Sequence, residues 1–260
     1  MTPSYRPLLL PRPTIDNLRD LGGRPADHDR PIKTGLLYRS AELSRCGEED
    51  LRWLEELGIA AVVDFREEIE RAARPDLVPA GAEYYHLSAL PTDWAQVDTE
   101  DAPLLARLFD SDLPRFFRAY YRILAHSEHS AAVYRRFFDL LLRQPARPLL
   151  WHCTQGKDRA GLAAILLQTA LGVDWEGCLD DYFLSNRMMG PQIEEAARAC
   201  RDEAEAEGLR QLNLVGPDCV AVWRKELDAR WGGLEAYLTG PLGLDGERRE
   251  LLRRLYLEAE

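Results

Sequence analysis

Residues 149–172 constrain the fold more than any other segment. A short apolar strand, Leu149-Leu150-Trp151, runs directly into a polar stretch, and an Ala- and Leu-rich helix is expected over 159–171, stopped by Gly172. A second apolar run, Ile59-Ala60-Ala61-Val62-Val63, reads as a buried parallel strand ending at Asp64-Phe65-Arg66. Shorter strands fit 36–40 and 84–87. The pattern over 48–57 predicts a helix, with Gly47 as N-cap, acids in the first turn, Leu51, Leu54 and Leu57 on one face, and Gly58 as its stop. Further helices are expected over 113–125 and 131–143, then over 175–186, 192–207, 218–229, 234–237 and 247–258. Strands interleaved with helices, followed by a helical tail, indicate an α/β fold with a mostly parallel central sheet flanked by helices. We expect one domain over 1–260, with the charged stretch 188–214 as a helical lid or appendage.

Charge narrows the function. The chain has 33 Lys+Arg against 44 Asp+Glu, a net −11, which argues against a nucleic-acid binder needing a basic face. No apolar run approaches the ~20 residues of a membrane span. The N-terminal Leu8-Leu9-Leu10 is closed by Pro11 and Pro13 and is no signal-peptide core, so a cytoplasmic protein is expected. Cys46, Cys153, Cys178, Cys200 and Cys219 include no CxxC pair, so free thiols are expected rather than a disulfide framework or a zinc site. No metal or cofactor is expected.

The chemistry lies in His152-Cys153-Thr154-Gln155-Gly156-Lys157-Asp158-Arg159-Ala160. His, Cys, Gly and Arg at this spacing arise by chance in on the order of one in several thousand such chains. A loop from a strand into a helix N-terminus turns several backbone N–H groups toward one centre, where the helix dipole adds positive potential. A tetrahedral oxyanion fits that cradle. Gly156 lets the backbone approach closely or take a positive φ. Arg159 can reach back and bind two equatorial oxygens with its planar fork. The same groups stabilise a thiolate at Cys153, which is then set to attack a bound phosphoryl group.

This loop resembles the signature of the cysteine-based protein tyrosine phosphatases. Its Gly-Lys-Asp-Arg form is similar to the atypical bacterial group that includes secreted mycobacterial and listerial tyrosine and lipid phosphatases. Other segments resemble the same family: Asn17-Leu18-Arg19-Asp20-Leu21-Gly22-Gly23, the strand ending Tyr38-Arg39-Ser40-Ala41, Val62-Val63-Asp64-Phe65-Arg66, and Asp181-Tyr182-Phe183-Leu184-Ser185-Asn186. The likeness runs from about residue 14 to 257. It implies a cysteine-phosphatase-like fold, with Cys153 as nucleophile and Arg159 as oxyanion clamp. The loop residues Thr154, Gln155, Gly156, Lys157 and Ala160 would bind substrate, and His152 would tune the thiolate from beneath the strand. Lys157 is expected at the rim, where the resemblance allows a substrate with more than one phosphate. The substrate would be a phosphorylated protein or a phosphoinositide.

The general acid is less determined. Conventional relatives supply it from a Trp-Pro-Asp loop, of which Pro91-Thr92-Asp93 is the nearest imitation here. The atypical group's resemblance implies Asp158 instead, assisted by Asp64, although Asp64 has a rival reading as an ion-pair partner of Arg66. One departure stands out. The family usually has Thr or Ser after the loop arginine and this chain has Ala160, so slow release of phosphate from the cysteine is expected. Two other functions compete: a phosphate-reading binding module with low turnover, and a sulfur-transfer or redox enzyme. The second is disfavoured because the cysteine-to-arginine spacing suits phosphate and no resolving cysteine is suitably placed.

Overall fold

In the computed structural model, which describes residues 5–92, 112–143 and 145–259, the apolar runs form the centre of a six-stranded sheet. The strands are β1 (Leu8–Leu9), β2 (Arg19–Asp20), β3 (Leu37–Ser40), β4 (Ala61–Asp64), β5 (Glu83–His86) and β6 (Leu149–His152). Their order is β1-β2-β3-β6-β4-β5; the last four are mutually parallel, and β1 and β2 add on antiparallel at one edge. Register sorts the core by alternation. Tyr38, Leu150 and Val62 are aligned and pack on one face with Leu54 of α1 (Glu48–Glu56). Their neighbours Trp151 and Val63 join the larger core on the other face.

That larger core is supplied by α3 (Leu113–His126), α4 (Glu128–Leu141), α5 (Arg159–Leu171), α6 (Trp175–Arg198), α8 (Pro217–Trp231), α9 (Leu234–Thr239) and α10 (Gly246–Tyr256). The short α2 (Glu68–Ala73) follows β4, and α7 (Glu203–Asn213) packs on α6. Nearly every residue of α5 is buried, as its Ala- and Leu-rich composition requires, and Gly172 ends it at φ +92°. No helix among the described residues is long and apolar enough to cross a membrane.

One stretch differs from expectation. The helices expected over 175–186 and 192–207 are instead a single α6 that runs through Gly190-Pro191 to Arg198, and the break falls at 199–202. Pro191 removes only the N–H that would reach the Arg187 carbonyl, and Arg187 is on the solvent side, where water can serve that carbonyl. Asp202 then starts α7 by accepting from the Glu205 N–H at 2.9 Å.

Candidate active site

Residues 153–158 join the C-terminal end of β6 to α5. Three donors outside this loop hold its carbonyls. The Glu42 N–H donates to Thr154 O at 3.1 Å, and Asn17 Nδ2 donates to Gln155 O at 2.9 Å. Arg39 Nη2 donates to Gly156 O at 2.6 Å and reaches Lys157 O at 3.4 Å. In a planar trans peptide the C=O and the following N–H point opposite ways. The N–H groups of Gln155, Gly156, Lys157 and Asp158 therefore turn away from those donors, toward the inside of the loop. None of them donates to a backbone acceptor outside regular elements among the described residues. Gly156 makes the turn possible: its φ is +69°, and a Cβ there would stand 2.1 Å from Ser40 O.

Cys153 is 2% exposed, and its charge would be felt by Arg159, Tyr120 and Tyr134. Arg159 is also buried, but its fork is already engaged. Nη1 and Nη2 bind the two carboxylate oxygens of Glu70 at 2.5 and 2.9 Å, and Thr154 Oγ1 donates to the same carboxylate. The guanidinium Nε–H is buried and has no partner among the described residues, which leaves a donor for an oxyanion. Burial pushes the Glu70 carboxyl up, but Arg159 outweighs it and holds the group at about 2. Glu70 is itself fixed by a capping box at the start of α2, where it accepts from the Glu67 N–H at 2.8 Å.

Behind the loop, residues far apart in sequence meet. Asp181 of α6 accepts from Arg19 Nε at 2.8 Å and from Arg39 Nη1 at 2.6 Å, all three fully buried. Burial opposes the Asp181 charge, and the two guanidiniums hold its carboxyl far below the usual carboxylate range. Ser185 Oγ accepts from Arg19 at 3.1 Å and from Asn17 at 3.2 Å. Asn17 takes φ +56°, a conformation asparagine tolerates better than most residues, and this aims its amide at the loop.

A comparison with known sequences agrees with this arrangement: residues 10–258 match the tyrosine phosphatase family. The chain belongs to that family. It is 31% identical over 235 residues to a protein named as a tyrosine-protein phosphatase in Cupriavidus necator, covering 89% of this chain and 83% of that one. It is 33% identical over 198 residues to the triple specificity protein phosphatase PtpB of Mycobacterium tuberculosis, covering 68% of each. A tyrosine-protein phosphatase of Nostoc commune is 28% identical over 227 residues, covering 82% of this chain and 72% of that one.

In this phosphatase Lys157 sits differently from expectation, and Asp64 takes the ion-pair reading of the two left open. Lys157 is not at the rim: it is 2% exposed, its ammonium 2.6 Å from Asp158 Oδ2 and 4.8 Å from the centre of the Phe117 ring. Asp64 is in the Arg66 pairing. It is fully buried and accepts from Arg66 Nε and Nη2 and, at 2.6 Å, from the Tyr84 hydroxyl. Burial opposes its charge, but His152, Arg66 and Tyr84 hold the carboxyl well below its usual range. His152 is fully buried at the end of β6, with Nδ1 3.1 Å from Cys153 O and Nε2 in ion-pair contact with Asp76 at 3.3 Å. Burial lowers its pKa, and Asp76 and Asp64 outweigh burial and raise it above the ordinary value. Asp64, Asp76 and His152 are close enough together to be a candidate metal group. They do not fit one, because the Arg66 guanidinium bonds both carboxylates and already supplies the positive charge. Ala160 is buried, its carbonyl accepting from Trp151 Nε1 at 3.0 Å. Asp93 lies outside the described residues.

Cavities flank the loop on two sides. One of about 340 Å³ borders Asp158 and is lined by Pro114, Phe117, Leu214, Val215 and Cys219. The other, about 280 Å³, borders Thr154 and Gln155 and includes Arg45 and Arg74. Helix α7 walls both, and its Asn213 accepts from the Gln155 amide. Glu70, Asp76 and Tyr121 were not identified from sequence. Only Glu70 left a signal there, since Glu67 and Glu70, just after Arg66, have capping-box spacing.

Proposed function

We infer that the chain hydrolyses phosphotyrosine monoesters through a phosphocysteine intermediate. The observation that carries this reading is the set of loop carbonyls held outward by Glu42, Asn17 and Arg39, which turns a row of N–H groups inward beside Cys153 and Arg159. In the first step the Cys153 thiolate attacks phosphorus and the S–P bond forms. The P–O bond to the leaving phenol breaks, and Asp158 gives its proton to the departing oxygen. In the second step water attacks the phosphocysteine, its proton passes to Asp158, and the S–P bond breaks to return the thiolate. The loop amides and Arg159 stabilise the equatorial oxygens throughout. His152 holds the loop entrance, and Asp64 serves the Arg66 pairing rather than proton transfer.

We propose phosphoserine, phosphothreonine and phosphoinositide esters as further substrates; a relative named a triple specificity protein phosphatase supports a range wider than phosphotyrosine. The engagement of Lys157 by Asp158 favours the monophosphorylated ones. Helix α7 is the lid of this reading, and a cytoplasmic location would keep Cys153 reduced. Ala160, with no hydroxyl to offer the departing sulfur, makes the second step the slower one. The test is p-nitrophenyl phosphate and phosphotyrosine peptide hydrolysis in EDTA by wild type, Cys153→Ser and Asp158→Asn. Release abolished by the serine variant supports the reading; release that survives it, or tight peptide binding without any release, contradicts it.

A further inference from the structure

Among the described residues, two groups hold the Asp158 carboxyl. Oδ2 lies 2.6 Å from the Lys157 ammonium, and Oδ1 accepts from the Tyr121 hydroxyl at 2.5 Å. Tyr121 comes from α3 and is fully buried, with its hydroxyl 2.6 Å from that of Tyr182 on α6. Burial pushes both phenols well above the ordinary range, so each is a neutral hydroxyl whenever the enzyme works. We propose that Tyr121 is the positioning residue of the general acid, fixing Oδ1 as an acceptor and leaving Oδ2 as the oxygen that carries the proton. The proposal rests on the reading of Asp158 as the acid.

The chemistry of the two partners differs. An ammonium only donates, and a protonated oxygen is a far poorer acceptor than a carboxylate oxygen, so the hold of Lys157 on Oδ2 weakens once that oxygen carries the proton. Lys157 leaves Oδ2 when the proton arrives, and the phosphate dianion in the loop is the anion that draws it away. A hydroxyl has no such conflict. Tyr121 donates to Oδ1 whether the carboxyl is charged or neutral. The carboxyl plane is thus held while its charge changes. As the P–O bond breaks, the Oδ2 proton passes to the leaving oxygen and Oδ2 keeps the electron pair; in the second step Oδ2 takes a proton from the attacking water. Without Tyr121 the carboxyl is free to turn about Cβ–Cγ and present its proton elsewhere.

The consequence is a loss that depends on the leaving group. Phenyl phosphate needs the proton, whereas 2,4-dinitrophenyl phosphate does not. Tyr121→Phe is expected to lose about tenfold or more in kcat/KM on phenyl phosphate and less than about threefold on the dinitrophenyl ester. In an Asp158→Asn background the same substitution should cost nothing further, because the two act as one unit. Tyr182→Phe removes a hydroxyl from the same buried pair but not the one on Asp158. It controls for packing and should lose less than about threefold on either ester. Equal losses for Tyr121→Phe on both esters, a persistent loss in the Asp158→Asn background, or a Tyr182→Phe variant as impaired as Tyr121→Phe would each overturn the proposal. If Asp158→Asn itself shows no leaving-group dependence, the acid assignment fails first and takes the proposal with it. If Asp158→Asn shows that dependence and Tyr121→Phe does not, the proposal fails alone.

Discussion

A single methyl group on Gly156 should disable the enzyme. The residue sits at φ +69°, where an L side chain costs about 1–2 kcal/mol. The added Cβ would also meet the Ser40 carbonyl, at 2.1 Å from its oxygen and 2.4 Å from its carbon. Both are backbone atoms, so no rotamer change relieves the clash. Restoring an ordinary contact distance requires the loop to shift by more than about 1 Å. A misplacement of that size at a reacting centre costs on the order of 10²-fold. Gly156→Ala is therefore expected to lower kcat/KM on a phosphotyrosine peptide by about 100-fold or more. The left-handed penalty alone should lower Tm by roughly 2–8 °C. The matched control is Gly208→Ala in α7, where an added Cβ meets nothing within 4 Å. It should leave activity intact and raise stability by about 0.5–1 kcal/mol, as removing a helical glycine does. Initial-rate kinetics and thermal unfolding on the two variants decide the matter. Activity within about threefold of wild type for Gly156→Ala, with no fall in Tm, would refute the claim that a tightly seated loop shapes the site.

Other residues carry further predictions. Arg159 holds the Glu70 carboxyl at about 2 in place of 4.5, so the ion pair stabilises the fold fully above pH 4.5 and loses that contribution as pH falls through 2. Glu70→Gln should cost up to about 3 kcal/mol at pH 7, and urea unfolding across pH should show its deficit against wild type closing between pH 4.5 and 2. Asp181→Asn leaves Arg19 and Arg39 buried without their counter-charge, which should cost about 3–5 kcal/mol in urea unfolding and also lower activity, since Arg39 holds Gly156 O. Ala160→Ser supplies the missing donor to the leaving sulfur. Rapid-quench kinetics should show a product burst in wild type that shrinks in this variant, with steady-state turnover raised by about tenfold or more; no burst in wild type and unchanged turnover would sink the idea.

What the sequence made legible was local. The strand, loop and helix over 149–172 follow from an apolar run, a glycine and an Ala- and Leu-rich segment, and all lie within one short window. Cys153, Gly156 and Arg159 belong to that window, so their convergence could be anticipated. Glu70 could not, because it lies 89 positions from Arg159 and the two meet only when β4 is laid beside β6. Tyr121 was hidden differently. It belongs to an aromatic stripe on α3 whose simplest role is packing, and the sequence does not mark which of the buried phenols also reaches a carboxylate. Lys157 was misplaced for a related reason. An isolated lysine beside a phosphate loop invites a rim position, and only the packing of Phe117 and Asp158 around its chain explains its burial. The continuation of α6 through Pro191 shows the same limit, since tertiary packing along one face outweighs one missing hydrogen bond.

Covalent phosphorylation of Cys153 is the proposed step on which all the chemistry above depends. The direct measurement is an acid quench within the first turnover on a phosphotyrosine peptide, followed by digestion and mass spectrometry of the fragment containing Cys153. This fragment is expected to gain the mass of one phosphoryl group, the adduct to accumulate because Ala160 slows its release, and Cys153→Ser to show neither adduct nor turnover. Full turnover with no phosphate on Cys153 at any quench time, or a phosphoryl group found on another residue, would contradict the proposed step.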